Sequence, residues 1–243
     1  MSKKICEIPW TKTSRLNTIE EGIRYKYFIP LSRYEYNTIE NSAIEIIKHI
    51  PRCGCIFYTY VNGEINWCLG RDKLTNELSD FGGHRKLNES VLECIVREGN
   101  EESRKVFNKF NANDILNCWC LWNQHMIIVF IPVISKTKKD IREMTKLHFE
   151  TKKFLNEKEI NHKSYNEIIE ITWLTCTQLN KILYSELETN EILYMKIKKF
   201  ILSYSSIDVI ESINNFLKFD DMSIITGQLN IYLNKYIPQI LSA

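Results

Sequence analysis

Glu98, Glu101 and Glu102 are spaced i, i+3, i+4. On a helix that turns by ~100° per residue, this spacing stacks three carboxylates on one patch. Like charges so close repel one another, and a hard divalent cation with oxygen ligands would relieve them. The same spacing also describes a solvated acidic face, a common use of glutamate on helices. Gly82 and Gly83 come shortly before the helix. A glycine-rich turn lets backbone N–H groups approach an anion, and a nearby helix N-terminus adds a favourable dipole. A phosphate-binding loop followed by a carboxylate patch suits the chemistry of holding a metal-bound diphosphate while water attacks phosphorus.

The carboxylates need a helix, and the spacing predicts one from Glu89 to Phe110. Leu92, Ile95, Val96, Val106, Phe107 and Phe110 share one face, with the three glutamates about 125° from its centre. Glu93 and Arg97 are four apart in the order that favours pairing along the helix. Gly99 sits mid-helix, where glycine costs ~1 kcal/mol relative to alanine, so Gly99→Ala is expected to stabilise a helical backbone.

Upstream, Cys53–Val61 and Glu64–Arg71 read as strands joined by Asn62-Gly63, a strong short-range hairpin signal. Asp72 to Asn88 reads as a loop. Downstream, Ile115–Trp122 and His125–Ile134 are strand-like, Asp140–Leu155 is an amphipathic helix, Ile168–Leu174 a strand and Gln178–Tyr184 a short helix. A helix over Thr38–Ile50 is stopped by Pro51, and three helical segments follow Glu191. The order predicts an α+β fold, an α/β sandwich with a mixed sheet between helices and extra helical segments at both ends.

Gly83, five residues, Glu89, seven residues, then Arg97-Glu98-Gly99-Asn100-Glu101-Glu102 resembles the box of the Nudix hydrolases. That pattern runs glycine, five residues, glutamate, seven residues, arginine-glutamate-aliphatic-x-glutamate-glutamate-x-glycine-aliphatic, and every charged or glycine anchor through Glu102 is in register. The segment Asn166–Leu174, with its Glu167 entry and Trp173, is similar to the late strand of such domains. The likeness spans about Cys53 to Leu202. It divides the chain into an N-terminal extension (1–50), a Nudix-like domain (51–203) and a helical C-terminal extension (204–243). Gly99 departs from the pattern, as do Arg104 and Lys105, which stand where glycine and an aliphatic are expected. With those two residues the helix is expected to run on and let Val106 and Phe107 restore the apolar contact.

The resemblance implies hydrolysis of a diphosphate linkage with Mg²⁺ or Mn²⁺. It makes Glu98, Glu101 and Glu102 the metal ligands, and Glu98 also a group that orients or deprotonates water. It gives Glu89 and Arg97 a structural role between loop and helix, and Gly82 and Gly83 the shaping of the loop. Glu167 is the expected further catalytic glutamate, with Glu170 second. Arg71, at the end of its strand, is the expected phosphate contact. A Nudix-fold binding module without catalysis would show altered box carboxylates, and here all are present.

The box leaves the attached group open. Nucleoside diphosphate derivatives come first, with diphosphoinositol polyphosphates and mRNA caps as alternatives. Lys136, Lys138, Lys139, Lys152 and Lys153 suit RNA phosphates, and Trp10, Trp67, Trp119 and Trp122 suit stacking on a base, although lysine on an amphipathic helix is usually its solvated face and strand tryptophan usually core. The net charge of +2 carries no polyelectrolyte signal. Met1-Ser2-Lys3-Lys4 leads into no apolar stretch, and the longest apolar run, Met126–Ile134, is far below the ~20 residues a membrane helix needs, so a cytoplasmic protein without membrane association is expected. Eight cysteines there mean reduced thiols. Cys53-x-Cys55 and Cys118-x-Cys120 lack the usual zinc-knuckle spacing and read as small buried hydrophobes.

Overall fold

The computed structural model describes residues 28–30, 49–107, 109–115, 118–122, 125–133, 137–157, 163–184 and 191–202. Most of the helix expected over Thr38–Ile50, Trp10, Lys136 and everything after Leu202 lie outside these residues.

The described strands are β1 (Phe28–Pro30), β2 (Arg52–Val61), β3 (Glu64–Asp72), β4 (Leu78–Ser79), β5 (Phe81–His84), β6 (Trp119–Trp122), β7 (Met126–Pro132) and β8 (Ile168–Thr175). Among the described residues four α-helices accompany them: α1 (Val91–Glu102), α2 (Lys138–Glu157), α3 (Cys176–Tyr184) and α4 (Met195–Leu202). The strands form one sheet in the order β1-β6-β7-β2-β3-β4, with β5 also on β2 and β8 also on β3. The fold is α+β, as the element order predicts.

Asn62 and Gly63 turn the β2–β3 hairpin with φ of 55° and 80°. Positive φ at both central residues matches the twist of the flanking strands, and Asn and Gly are the residues that tolerate it. The pairing of β2 with β7 is parallel, Arg52 opposite Met126 through Tyr58 opposite Pro132. Strands buried on both faces read as continuous apolar runs, and β7 is buried at every position.

Strand alternation splits the core in two. Cys53, Cys55, Phe57, Ile127, Val129 and Ile131 face one way and meet Cys94 and Ile95 of α1 and Met144 and Leu147 of α2. Ile56, Tyr58, Trp67, Ile128 and Phe130 face the other way and meet Leu179, Ile182 and Leu183 of α3 and Ile197 of α4. Trp67 is core, its indole Nε1–H donating to Cys176 Sγ at 3.1 Å. Cys53, Cys55 and Cys118 are buried. No helix among the described residues is long and apolar enough to cross a membrane.

Two expectations are corrected. The stretch expected as a loop over 72–88 contains β4 and β5. These strands are too short to show a periodicity, and both glycines lie within β5. The helix expected to reach Phe110 ends at Glu102 and does not run on. Arg104 and Lys105 take φ of 51° and 57°, the left-handed conformation that ends a helix. Val106, Phe107 and Phe110 still reach the core, from the turn and loop that follow.

Candidate active site

Helix α1 starts at Ser90, whose side chain accepts from Glu93 N while Glu93 Oε2 accepts from Ser90 N, a reciprocal capping box. Glu93 is therefore engaged at the cap. Arg97 turns instead to Glu89, donating to both its oxygens at 2.7 and 2.9 Å, with a further bond to His84 O. Those hydrogen bonds from Arg97, more than any other influence, hold the Glu89 carboxyl down at about 2. Arg97 thus ties the segment before the helix to its second turn.

Gly99 is helical, but a Cβ there would lie 2.7 Å from Phe110 Cζ and 2.9 Å from Cys55 Sγ. Phe110 or Cys55 would have to shift to admit a methyl group, which reverses the expectation for Gly99→Ala.

Glu98 and Glu102 point at β5. Gly82 N donates to Glu102 Oε2 at 2.8 Å, and a Cβ on Gly83 would collide with the Glu98 carboxylate. The two glycines let the strand lie against the carboxylates. Together these residues line a pocket of about 460 Å³, with Glu167 at the entry to β8, and with Arg52, Asp72, Asp80, His84 and Tyr194. That volume is within the ~300–1,000 Å³ typical of small-molecule sites.

Burial raises the Glu102 carboxyl well above the usual carboxylate range, and repulsion from Glu98, Asp80 and Glu167 adds to it. Burial also raises Glu98, against the opposing ion pair with Arg97. Glu101 stands beside the pocket. Its Oε2 is buried without a hydrogen-bond partner, 3.5 Å from Arg97 Nη1, which also holds Glu98 Oε1 at 2.7 Å. Crowded, buried carboxylates with an orphaned oxygen are a donor set that fits a hard divalent cation. As the side chains stand, no group of three or more His, Cys, Asp or Glu among the described residues is drawn tightly enough to hold one.

The far end of α1 is anchored by Arg104, a departure from the box pattern, and by His148, which no sequence pattern singles out. Arg104 is fully buried. Its guanidinium donates to Tyr165 O and His148 O, both at 2.9 Å, to His148 Nδ1 at 2.9 Å and to Ile168 O. Burial lowers the Arg104 pKa to about 10. Since a guanidinium only donates, His148 Nδ1 must accept, and the ring proton sits on Nε2. That Nε2–H donates at 3.2 Å to Glu102 O, one of the orphan carbonyls at the helix end. Burial first, then Arg104, keeps His148 neutral.

Arg71 does not line the pocket. It donates to Glu170 Oε1 and Glu191 Oε2, both at 2.6 Å, and to Asn76 O. Glu170 is likewise taken up by this pairing. On α2, Lys139 and Lys153 lie 3.7 and 3.8 Å from Glu143 and Glu157, one turn on, so glutamates interleave this basic face.

No family model and no curated protein matches the chain. Solved structures similar to it include the Caenorhabditis elegans Ap4A hydrolase binary complex, at 12% identity over 69% of this chain and 97% of that one, with a TM-score of 0.37. A mutT/nudix family protein from Listeria innocua is 14% identical over 72% of this chain and 96% of that one, at 0.34. Another from Enterococcus faecalis is 15% identical over 51% and 42%, at 0.27. With identity and TM-scores this low, the functional reading rests on the motif and on the site's own geometry.

Proposed function

We propose that this chain is a divalent-metal-dependent Nudix hydrolase that cleaves the phosphoric anhydride bond of a nucleoside diphosphate derivative. One observation carries the reading. The box glutamates Glu98 and Glu102 share a pocket with the Gly82-Gly83 backbone and with Glu167, 65 or more residues away in sequence. A solvated acidic face would not bury these groups.

Glu98, Glu101 and Glu102 would hold Mg²⁺ or Mn²⁺. When bound, the ion supplies charge to the anhydride oxygens and makes a coordinated water more acidic. Arg97 favours the ionised form of Glu98 and fixes it between the pocket and Glu89. Glu167, brought in from a different element, takes the proton of the attacking water. The new P–O bond forms as the anhydride P–O bond breaks, and the leaving phosphate carries away the bonding electrons.

The test is a product-resolved screen of diphosphate compounds with Mg²⁺ and Mn²⁺, run on the full chain and on a Glu101→Gln, Glu102→Gln double variant. Turnover should fall by orders of magnitude in the variant. Its unfolding midpoint without metal should hold or rise, because a buried carboxylate under repulsion has become neutral. Undiminished turnover in the variant would overturn the assignment.

A further inference from the structure

The pocket is acidic, and among the described residues lining it Arg52 is the single Lys or Arg. Arg52 opens β2 and grips Asp80 with a fork, Nη1 to Oδ2 at 2.8 Å and Nη2 to Oδ1 at 2.7 Å. Nη2 also donates to Gly82 O at 3.3 Å. A guanidinium has five N–H donors, so these bonds leave two for another acceptor.

Asp80 is built in. Its side chain is fully buried and also accepts from Ser79 Oγ at 3.0 Å. Two glycines clear its space: a Cβ on Gly54 would collide with Asp80 Oδ2, and one on Gly82 would lie 2.8 Å from it. For stability alone the arrangement is poor. A buried ion pair gains little over apolar packing, and Asp80 adds negative charge beside Glu102. What the pair does achieve is a planar cation held rigidly at the wall of a pocket whose other charges are carboxylates. Phosphoryl oxygens are acceptors that match such a cation in charge.

We infer that Arg52 is a substrate-binding residue that offers its charge and a remaining N–H to a phosphoryl oxygen of the diphosphate, and that Asp80 is the positioning residue that aims it. The inference rests on the diphosphate reading above. It assigns to Arg52 the contact that the sequence suggests for Arg71.

The experiment is calorimetric titration of the full chain with methylenediphosphonate, a diphosphate mimic that cannot be hydrolysed, at fixed Mg²⁺. The variants are Arg52→Gln/Asp80→Asn, which keeps a neutral hydrogen-bonded pair, and Arg52→Lys, which keeps the charge but not the fork. The double variant should bind about 10- to 100-fold more weakly, the loss expected for one or two charge-assisted hydrogen bonds, with its melting midpoint close to wild type. Arg52→Lys should fall between them and decides the matter if the double variant folds poorly. Affinity equal to wild type in the folded double variant would make the pair purely structural, and equal affinity in Arg52→Lys would remove the aiming role given to Asp80; either overturns the inference while leaving the diphosphate reading intact. Failure of the wild-type chain to bind the mimic with Mg²⁺ would overturn both.

Discussion

The two ends of α1 are held by opposite means. At the N-terminal end every partner is near in sequence: Ser90 with Glu93, and Arg97 with Glu89 eight residues before it. At the C-terminal end, beside the bonds that Asn100 exchanges with Phe110 ten residues on, the side chains that hold the end reach distant partners. His148 caps Glu102 from 46 residues away, and Arg104 reaches residues 44 to 64 further on. A cap made of neighbours is available as soon as the chain turns. A cap made of α2 and β8 exists only when the domain is assembled, and it holds the end that carries Glu101 and Glu102.

Breaking the distant cap should have the largest effect. Arg104→Met removes the donor to four acceptors around a buried guanidinium and is expected to cost about 3–5 kcal/mol, read from denaturant midpoints. Arg104→Gly sharpens the point. It relieves the left-handed φ, worth ~1–2 kcal/mol, and should still be well below wild type. If Arg104→Gly matches wild type, backbone conformation alone ends the helix and the contrast between the ends disappears.

Next comes the middle. Gly99→Ala forces a Cβ against Phe110 and Cys55 and should destabilise by about 1–3 kcal/mol as overpacking, measured the same way. A raised midpoint would show that Phe110 yields easily. Ser90→Ala, at the near cap, should cost only ~1 kcal/mol. A cost equal to that of Arg104→Met would place the two ends on one footing.

The smallest effect is a pH dependence. The folded Glu89 carboxyl titrates at about 2, below its unfolded value near ~4.3. In that window the folded state binds fewer protons than the unfolded state. This contribution is therefore complete above the unfolded value and is lost as pH falls towards 2. Glu89→Gln should flatten this part of the acid limb of the stability profile, followed by melting midpoints against pH. An unchanged acid limb would remove Glu89 from the near anchor.

The same division explains what is legible in the sequence. Asn62-Gly63 announces its hairpin because a two-residue turn is a local decision. The box carboxylates are readable from their spacing because one helix carries all three. Val106, Phe107 and Phe110 read as core, yet the pattern places them on a helix that has already ended, since burial depends on hydrophobicity and the end depends on what receives Arg104. Strands β4 and β5 are too short to show a period. Arg52 and Asp80 are 28 residues apart and meet only because β2 and β5 pair. Their one trace in the sequence is a charged residue at each threshold: Arg52 before an apolar run, Asp80 before Phe81-Gly82-Gly83.

The buried Arg104 also says when the site forms. Its acceptors lie on α2, on the turn at 163–166 and on β8, so the guanidinium that follows α1 is not fully paired in a chain that has not yet placed Ile168. Contacts over such sequence separations are costly to close early in folding. The amides around Glu101 and Glu102 should then exchange with solvent in one cooperative unit with α2 and β8, and separately from the hairpin β2–β3. During synthesis the box would be translated long before the proposed metal site could form, and that proposed site would be completed only with β8 and with Glu167 at its entry.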